Sequence, residues 1–227
     1  MRQTTAVQER RTSANVVFDY LRDEITSLRL RPGDKISEAE IAAKFKISRQ
    51  PVRDAFSRLS NLDLLVVRPQ KATLVKKFSR SGLNRERFVR LAVELEVAHL
   101  AVQNWRPEDG VVLRDALDRQ RAAVAAQDID AFHRLDYAFH AQICRVAGAE
   151  FAFDVIVEKK EQVDRLCVLS LTGADAMQDI VADHVQIVDA LEAQDEVALV
   201  NAVRKHLSRL DATIEDIERT HETFFDD

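Results

Sequence analysis

The sequence predicts a mainly α protein in two parts: an N-terminal winged helix-turn-helix (three helices plus a small β-hairpin wing), then an all-α antiparallel helical bundle. Three observations predict it. Two short helical patterns stand back to back between Ser37 and Leu59. Two short strand-like runs, Leu64-Leu65-Val66-Val67 and Thr73-Leu74-Val75, follow around Pro69-Gln70-Lys71. From Leu83 onward the apolar residues recur only at helical spacing, broken by brief polar or glycine-containing stretches.

Residues 1–12 are polar and read as a loose tail. From Ser13 to Leu30, Val16, Val17, Tyr20, Leu21, Ile25 and Leu28 give one apolar face, and Pro32-Gly33 stops the helix. Ser37 and Glu40 have capping-box spacing and open the second helix, with Ala39, Ile41, Ala42 and Phe45 apolar. The pattern breaks at Lys46-Ile47. Ser48 then offers a new N-cap, and Pro51 falls in the first turn, where a missing N–H costs nothing. Val52, Ala55, Phe56 and Leu59 form the inner face of this third helix. Arg49 and Arg53, four apart, point the same way near its start. That arrangement suits reading a DNA major groove, where an arginine can bond guanine bidentately for ~1–3 kcal/mol of discrimination. Most charge pairs are only a solvated helix face, and that remains the plain alternative.

The match then becomes specific. Residues 48–59, SRQPVRDAFSRL, with Arg31-Pro32-Gly33-Asp34 before them and the hairpin after, resemble the winged helix-turn-helix of the GntR family of bacterial transcription regulators. The resemblance implies base reading by Arg49 and Arg53 with Ser48 and Gln50 beside them, and wing contacts from Gln70 and Lys71. This chain has Lys46 in the inter-helix turn, Leu62-Asp63 after the third helix and Gln70-Lys71 at the wing tip, where the family often has glycine.

Charge divides with the two parts. Residues 1–77 carry sixteen Lys and Arg against nine Asp and Glu, a net +7, and residues 78–227 carry seventeen against twenty-nine, a net −12. A basic head on an acidic body suits a DNA-binding module, 1–77, joined to a control domain, 83–227, through a linker at 78–82. Cys144 and Cys167 lack any paired spacing, which fits a reducing cytoplasm. MRQTTAVQERR has no apolar signal-peptide core, and no apolar run approaches the length of a membrane span.

The body reads as helices over 83–104, 107–127, 129–147, 150–171, 175–193 and 195–222. An all-helical body of this size behind such a head resembles the FCD domain of the FadR-like subgroup. At 100° per residue, His184 lies centrally among Ile180, Val181, Ile187, Val188 and Leu191. His206 lies among Leu199, Ala202, Val203, Leu210 and Ile217, while Asp136 and His140 flank the stripe Phe132, Leu135, Phe139, Ile143 and Val146. One histidine on an apolar stripe is usually a core residue bonded to a carbonyl. Two on separate helices plus an Asp-x-x-x-His pair suit a shared divalent cation, zinc or nickel by donor type. Some FCD domains hold a metal with such a set, and DYAFH at 136–140 is similar to their motif, which implies Asp136, His140, His184 and His206 as ligands. His133 reads as a neighbour of that set or as surface.

Arg90 shares a face with Val93, Val97 and Ala101, so it could hold a carboxylate; an i,i+4 ion pair with Glu94 explains it equally well. The resemblance implies a homodimer on double-stranded operator DNA, governed by a small carboxylate effector, and no catalysis. The alternative is a metal-dependent enzyme acting on a small acid with the head as a tether, against which stands the lack of a base beside the histidines.

Overall fold

A computed structural model describes residues 12–68, 72–170 and 174–226. Contacts divide the chain into a head, residues 12–78 with Phe224–Asp226, and a body, residues 79–223.

In the head, α1 (Ser13–Thr26), α2 (Glu38–Phe45) and α3 (Arg49–Asn61) pack beside a three-stranded antiparallel sheet in the order β1-β3-β2. The strands are β1 (Lys35–Ile36), β2 (Leu65–Val66) and β3 (Thr73–Val75): the first wing strand is two residues shorter than expected, the second is as expected, and a third strand joins them from before α2. Lys35 faces Leu74, and Val66 faces Leu74 from the other side. The core is Val17, Phe18, Leu21 and Ile25 of α1 against Val52, Ala55, Phe56 and Leu59 of α3. The first helix ends four residues earlier than its apolar pattern. The Ser27 hydroxyl takes the Asp23 carbonyl, and Leu28 turns to φ 58°, which breaks the ladder. Gly33, at φ 89°, makes the turn into β1 and donates to the Val75 carbonyl at 2.9 Å.

The turn between α2 and α3 is closed by Lys46 in the left-handed region, φ 55° and ψ 43°. The Ile47 amide reaches back to the Ala42 carbonyl at 3.0 Å and that of Lys46 to Ala43 at 3.2 Å, so the helix end is satisfied without glycine. Ser37 caps α2 through the Glu40 amide, at 3.5 Å. Ser48 holds the extended N-cap backbone of α3, but its hydroxyl makes no cap bond. The reason lies in the sequence: Pro51 occupies the third helical position and has no amide hydrogen to donate. The wing tip, with Gln70 and Lys71, lies outside the described residues.

The body consists of α4 (Arg80–Asn104), α5 (Pro107–Ala125), α6 (Ile129–Val146), α7 (Phe151–Ser170), α8 (Ala174–Glu192) and α9 (Glu196–Thr220). Helix α4 begins inside the stretch expected to be a linker, because Ser79 accepts the Gly82 amide and starts the helix there. Val97, Ala101, Leu117, Phe139, Ile143, Val188, Leu191, Leu199 and Val203 form the main core. Among the described residues no helix is long and apolar enough to cross a membrane.

A residue with a Cβ in the left-handed region costs roughly 1–2 kcal/mol, offset in part by glycine's larger entropy loss. Lys46→Gly should therefore stabilise the head by about 0.5–1 kcal/mol, read as a higher urea midpoint. An unchanged or lower midpoint would contradict the strain assigned to this turn.

Candidate nucleic-acid interface and metal centre

Ser48, Arg49, Gln50 and Arg53 are all exposed on the first turns of α3. The opposite face of the helix is locked into the core by Val52, Ala55, Phe56 and Leu59, so these side chains sit on a rigid support. Arg53 Nε donates to Glu38 Oε2 of α2 at 2.9 Å, and Gln50 Nε2 donates to Asp54 Oδ1 at 2.9 Å. The Arg53–Glu38 pair is half exposed and worth ~0.2–1 kcal/mol. A guanine contact is worth ~1–3 kcal/mol, so a duplex can take Arg53 from Glu38. Glu38 was not singled out from the sequence, because its partner lies across a turn.

In the body, Asp136 and His140 of α6, His184 of α8 and His206 of α9 bring their donor atoms within 4.8 Å of one another, and all four are buried. Each imidazole for which a partner is seen uses one nitrogen for an anchor and aims the other inward. His184 Nδ1 lies 2.9 Å from Gln120 Oε1 of α5, while Gln120 Nε2 donates to the Leu135 carbonyl at 3.3 Å. That bond fixes the amide's orientation, so the proton belongs on His184 Nδ1 and the lone pair on Nε2, 3.5 Å from Asp136 Oδ1. His140 Nδ1 lies 3.0 Å from Glu94 Oε2, and Glu94 Oε1 accepts from Arg90 Nε at 2.5 Å. Phe139 stacks on His184 with centroids 4.1 Å apart and holds the ring's tilt.

His140 Nε2 and His206 Nδ1 are buried without a hydrogen-bond partner. Such atoms are costly unless something supplies an electron-pair acceptor. Burial, with His184 and His140 nearby, pushes the His206 imidazole well below its usual range, so it is neutral and able to coordinate. Burial alone would raise the Glu94 carboxyl; Arg90 and His140 outweigh it and hold Glu94 ionised well below the usual carboxylate range. Donors ~2.1 Å from a divalent cation stand roughly 3.0–4.2 Å apart depending on geometry, so a set already within 4.8 Å lies near that range. The donor set fits a metal.

Arg90 thus makes the buried ion pair with Glu94, and it also lines a cleft of about 260 Å³ between α4 and α9 with Asn84, Arg87, Leu91, Arg204 and Ser208. His133 is half-buried and lies outside the cluster, and His99 pairs with Glu196 at the surface. Gln120 was missed in the sequence: an amide on a fourth helix carries no ligand-like spacing.

A helix-turn-helix with exposed arginines, joined to a helical body with a buried three-histidine cluster, defines a DNA-binding regulator with a separate helical domain. The chain belongs to the GntR family of bacterial regulatory proteins, whose model matches residues 13–75, and carries an FCD domain over residues 87–209. It is 30% identical to the HTH-type transcriptional repressor RspR of Escherichia coli (strain K12), over 92% of each chain. It is also 30% identical to the "Probable D-xylose utilization operon transcriptional repressor" of Paenarthrobacter nicotinovorans, over 88% of this chain and 87% of that protein. Its fold is shared with E. coli McbR/YncC (TM-score 0.70, 19% identity, 90% of this chain and 98% of that one). Lar, which controls expression of the Listeria monocytogenes agr system, shares it too (TM-score 0.64, 14% identity, 93% and 100%). These families and relatives are transcriptional regulators, not enzymes.

Anchors behind metal-binding histidines are worth ~10–100-fold in affinity. Gln120→Leu should weaken nickel or zinc binding by about that factor while circular dichroism keeps the helical signal. Unchanged affinity, measured by titration calorimetry, would remove Gln120 from the anchoring role.

Proposed function

We propose that this protein is a homodimeric, metabolite-responsive repressor. The two α3 helices enter successive major grooves of a pseudo-palindromic operator in double-stranded DNA. Arg49 and Arg53 read base edges with Gln50 beside them, and the Ser48 hydroxyl, which takes no cap amide, reaches a phosphate. Gln70 and Lys71 on the wing meet the sugar-phosphate backbone or the minor groove. The repressor reading rests on the 30% identity to RspR, a transcriptional repressor.

In the body, Asp136, His140, His184 and His206 would hold a zinc or nickel ion, which when bound supplies a Lewis-acidic point for a small carboxylate effector. The observation that carries this is the buried charge. With neutral imidazoles, the buried carboxylates Glu94, Asp136 and Asp183 and the buried guanidiniums Arg90 and Arg165 sum, among the described residues, to one negative charge in the interior. A divalent cation takes that sum to plus one, and a single carboxylate then brings it to zero. Buried charge is costly unless balanced, so the metal-loaded body favours an anion. Arg90, at the cleft wall and behind Glu94, orients that anion.

Arg53→Ala should weaken binding to the cognate operator by about 10–100-fold and leave non-specific binding nearly unchanged, read by electrophoretic mobility shift on both duplexes. Equal loss on both would assign Arg53 to phosphate. For the body, nickel or zinc should raise the melting temperature of the purified chain, and a panel of small carboxylates should raise it further only when metal is present. A carboxylate shift that survives chelation would place the effector elsewhere.

A further inference from the structure

The chain passes between head and body twice, once at residues 78–79 and again at 223–224. Beyond α9, a short 3₁₀ turn (Glu222–Phe224) leads into a segment that belongs to the head. There the Phe78 amide donates to the Phe224 carbonyl and the Asp226 amide donates to the Phe78 carbonyl, both at 2.9 Å, which makes a parallel bridge between Phe78 and Phe225. Both rings are buried, 2% and 6% exposed, with centroids 5.6 Å apart, and Lys77 Nζ stands 3.8 Å from Asp226 Oδ1. On the body side of the same crossings, Arg80 Nε of α4 pairs with Glu218 Oε1 of α9 at 3.3 Å. The segment lies outside both the 13–75 and the 87–209 matches, so neither family model accounts for it.

A segment that merely trailed from α9 would expose its aromatic residue and leave its amides to water. This one buries a phenylalanine and completes two backbone bonds on the edge that leads out of β3. It is also the direct continuation of the helix that carries His206, fourteen residues or about 21 Å of helix before Thr220. We infer that residues 224–226 form a strap which docks on Phe78 and makes the order of the head depend on the state of α9. A pull or a tightening of α9 at His206 is delivered to the head by covalent continuity, at the strand that follows the wing. This part of the inference rests on the metal-centre reading; the docking itself does not.

The test uses three full-length proteins: wild type, Phe225→Ser, and Phe225→Leu, which keeps an apolar side chain for Phe78. Amide hydrogen exchange is followed by mass spectrometry, with and without nickel(II) alone. Without nickel, Phe225→Ser should speed exchange at Phe78 and over residues 72–78 by roughly tenfold, and Phe225→Leu should largely restore protection. All three proteins should bind nickel with the same affinity to within about twofold, the site being remote from the substitution. Nickel should then slow exchange over 72–78 in wild type and Phe225→Leu, but not in Phe225→Ser. A head that answers nickel equally in Phe225→Ser overturns the coupling, and so does a wild-type head that ignores bound nickel. Should wild type bind no nickel, the metal-centre reading is what fails. The exchange rates without metal then decide the strap, and equal rates in wild type and Phe225→Ser overturn it.

Discussion

A carboxylate and three imidazoles meet in the interior of a helical bundle, and the rest of the body is arranged around satisfying them. Left alone, such groups would each cost free energy on burial. Here the anchors are drawn from other helices: Glu94 and Arg90 from α4, Gln120 from α5, and through Gln120 the Leu135 carbonyl of α6. The cluster therefore cross-links α4, α5, α6, α8 and α9, and fixes their relative rotation more tightly than aliphatic packing alone. Aliphatic cores tolerate repacking; a buried hydrogen-bonded network specifies one arrangement.

That arrangement also makes the body sensitive. Among the described residues, the inward-facing His140 Nε2 and His206 Nδ1 are buried without a hydrogen bond, so an occupant of the space between them would stabilise the bundle. Anything that binds only the folded form stabilises it by mass action, which is the elementary requirement for a sensor. The head is built for the opposite purpose. Its third helix is held by four apolar side chains and presents its polar residues outward, tied to neighbours by exposed, weak pairs.

Helix boundaries show where local rules compete. Ser48 looks like a capping residue, yet Pro51 removes the amide it would cap, and the residue is left exposed. Lys46 stands where related turns often have glycine, and the turn forms nonetheless, because two backbone bonds compensate the left-handed conformation. Ser79 starts α4 three residues before the apolar pattern begins, since a cap needs only a side-chain oxygen and not an apolar partner.

By itself the amino-acid sequence determined the two-part division, the helix-turn-helix with its outward arginines, and the convergence of Asp136, His140, His184 and His206. Helical phase decides which side chains face inward and the short breaks that neighbouring helices run antiparallel, while the meeting of the four at one point was what the resemblance to FCD domains implied. Only the tertiary structure decided which groups support them. Glu38 beneath Arg53, Glu94 and Gln120 behind the histidines, and Phe225 against Phe78 come from segments up to 147 positions apart. No spacing rule links such residues. Their pairing depends on how whole helices pack, and that is set by the summed burial of many side chains rather than by any local pattern.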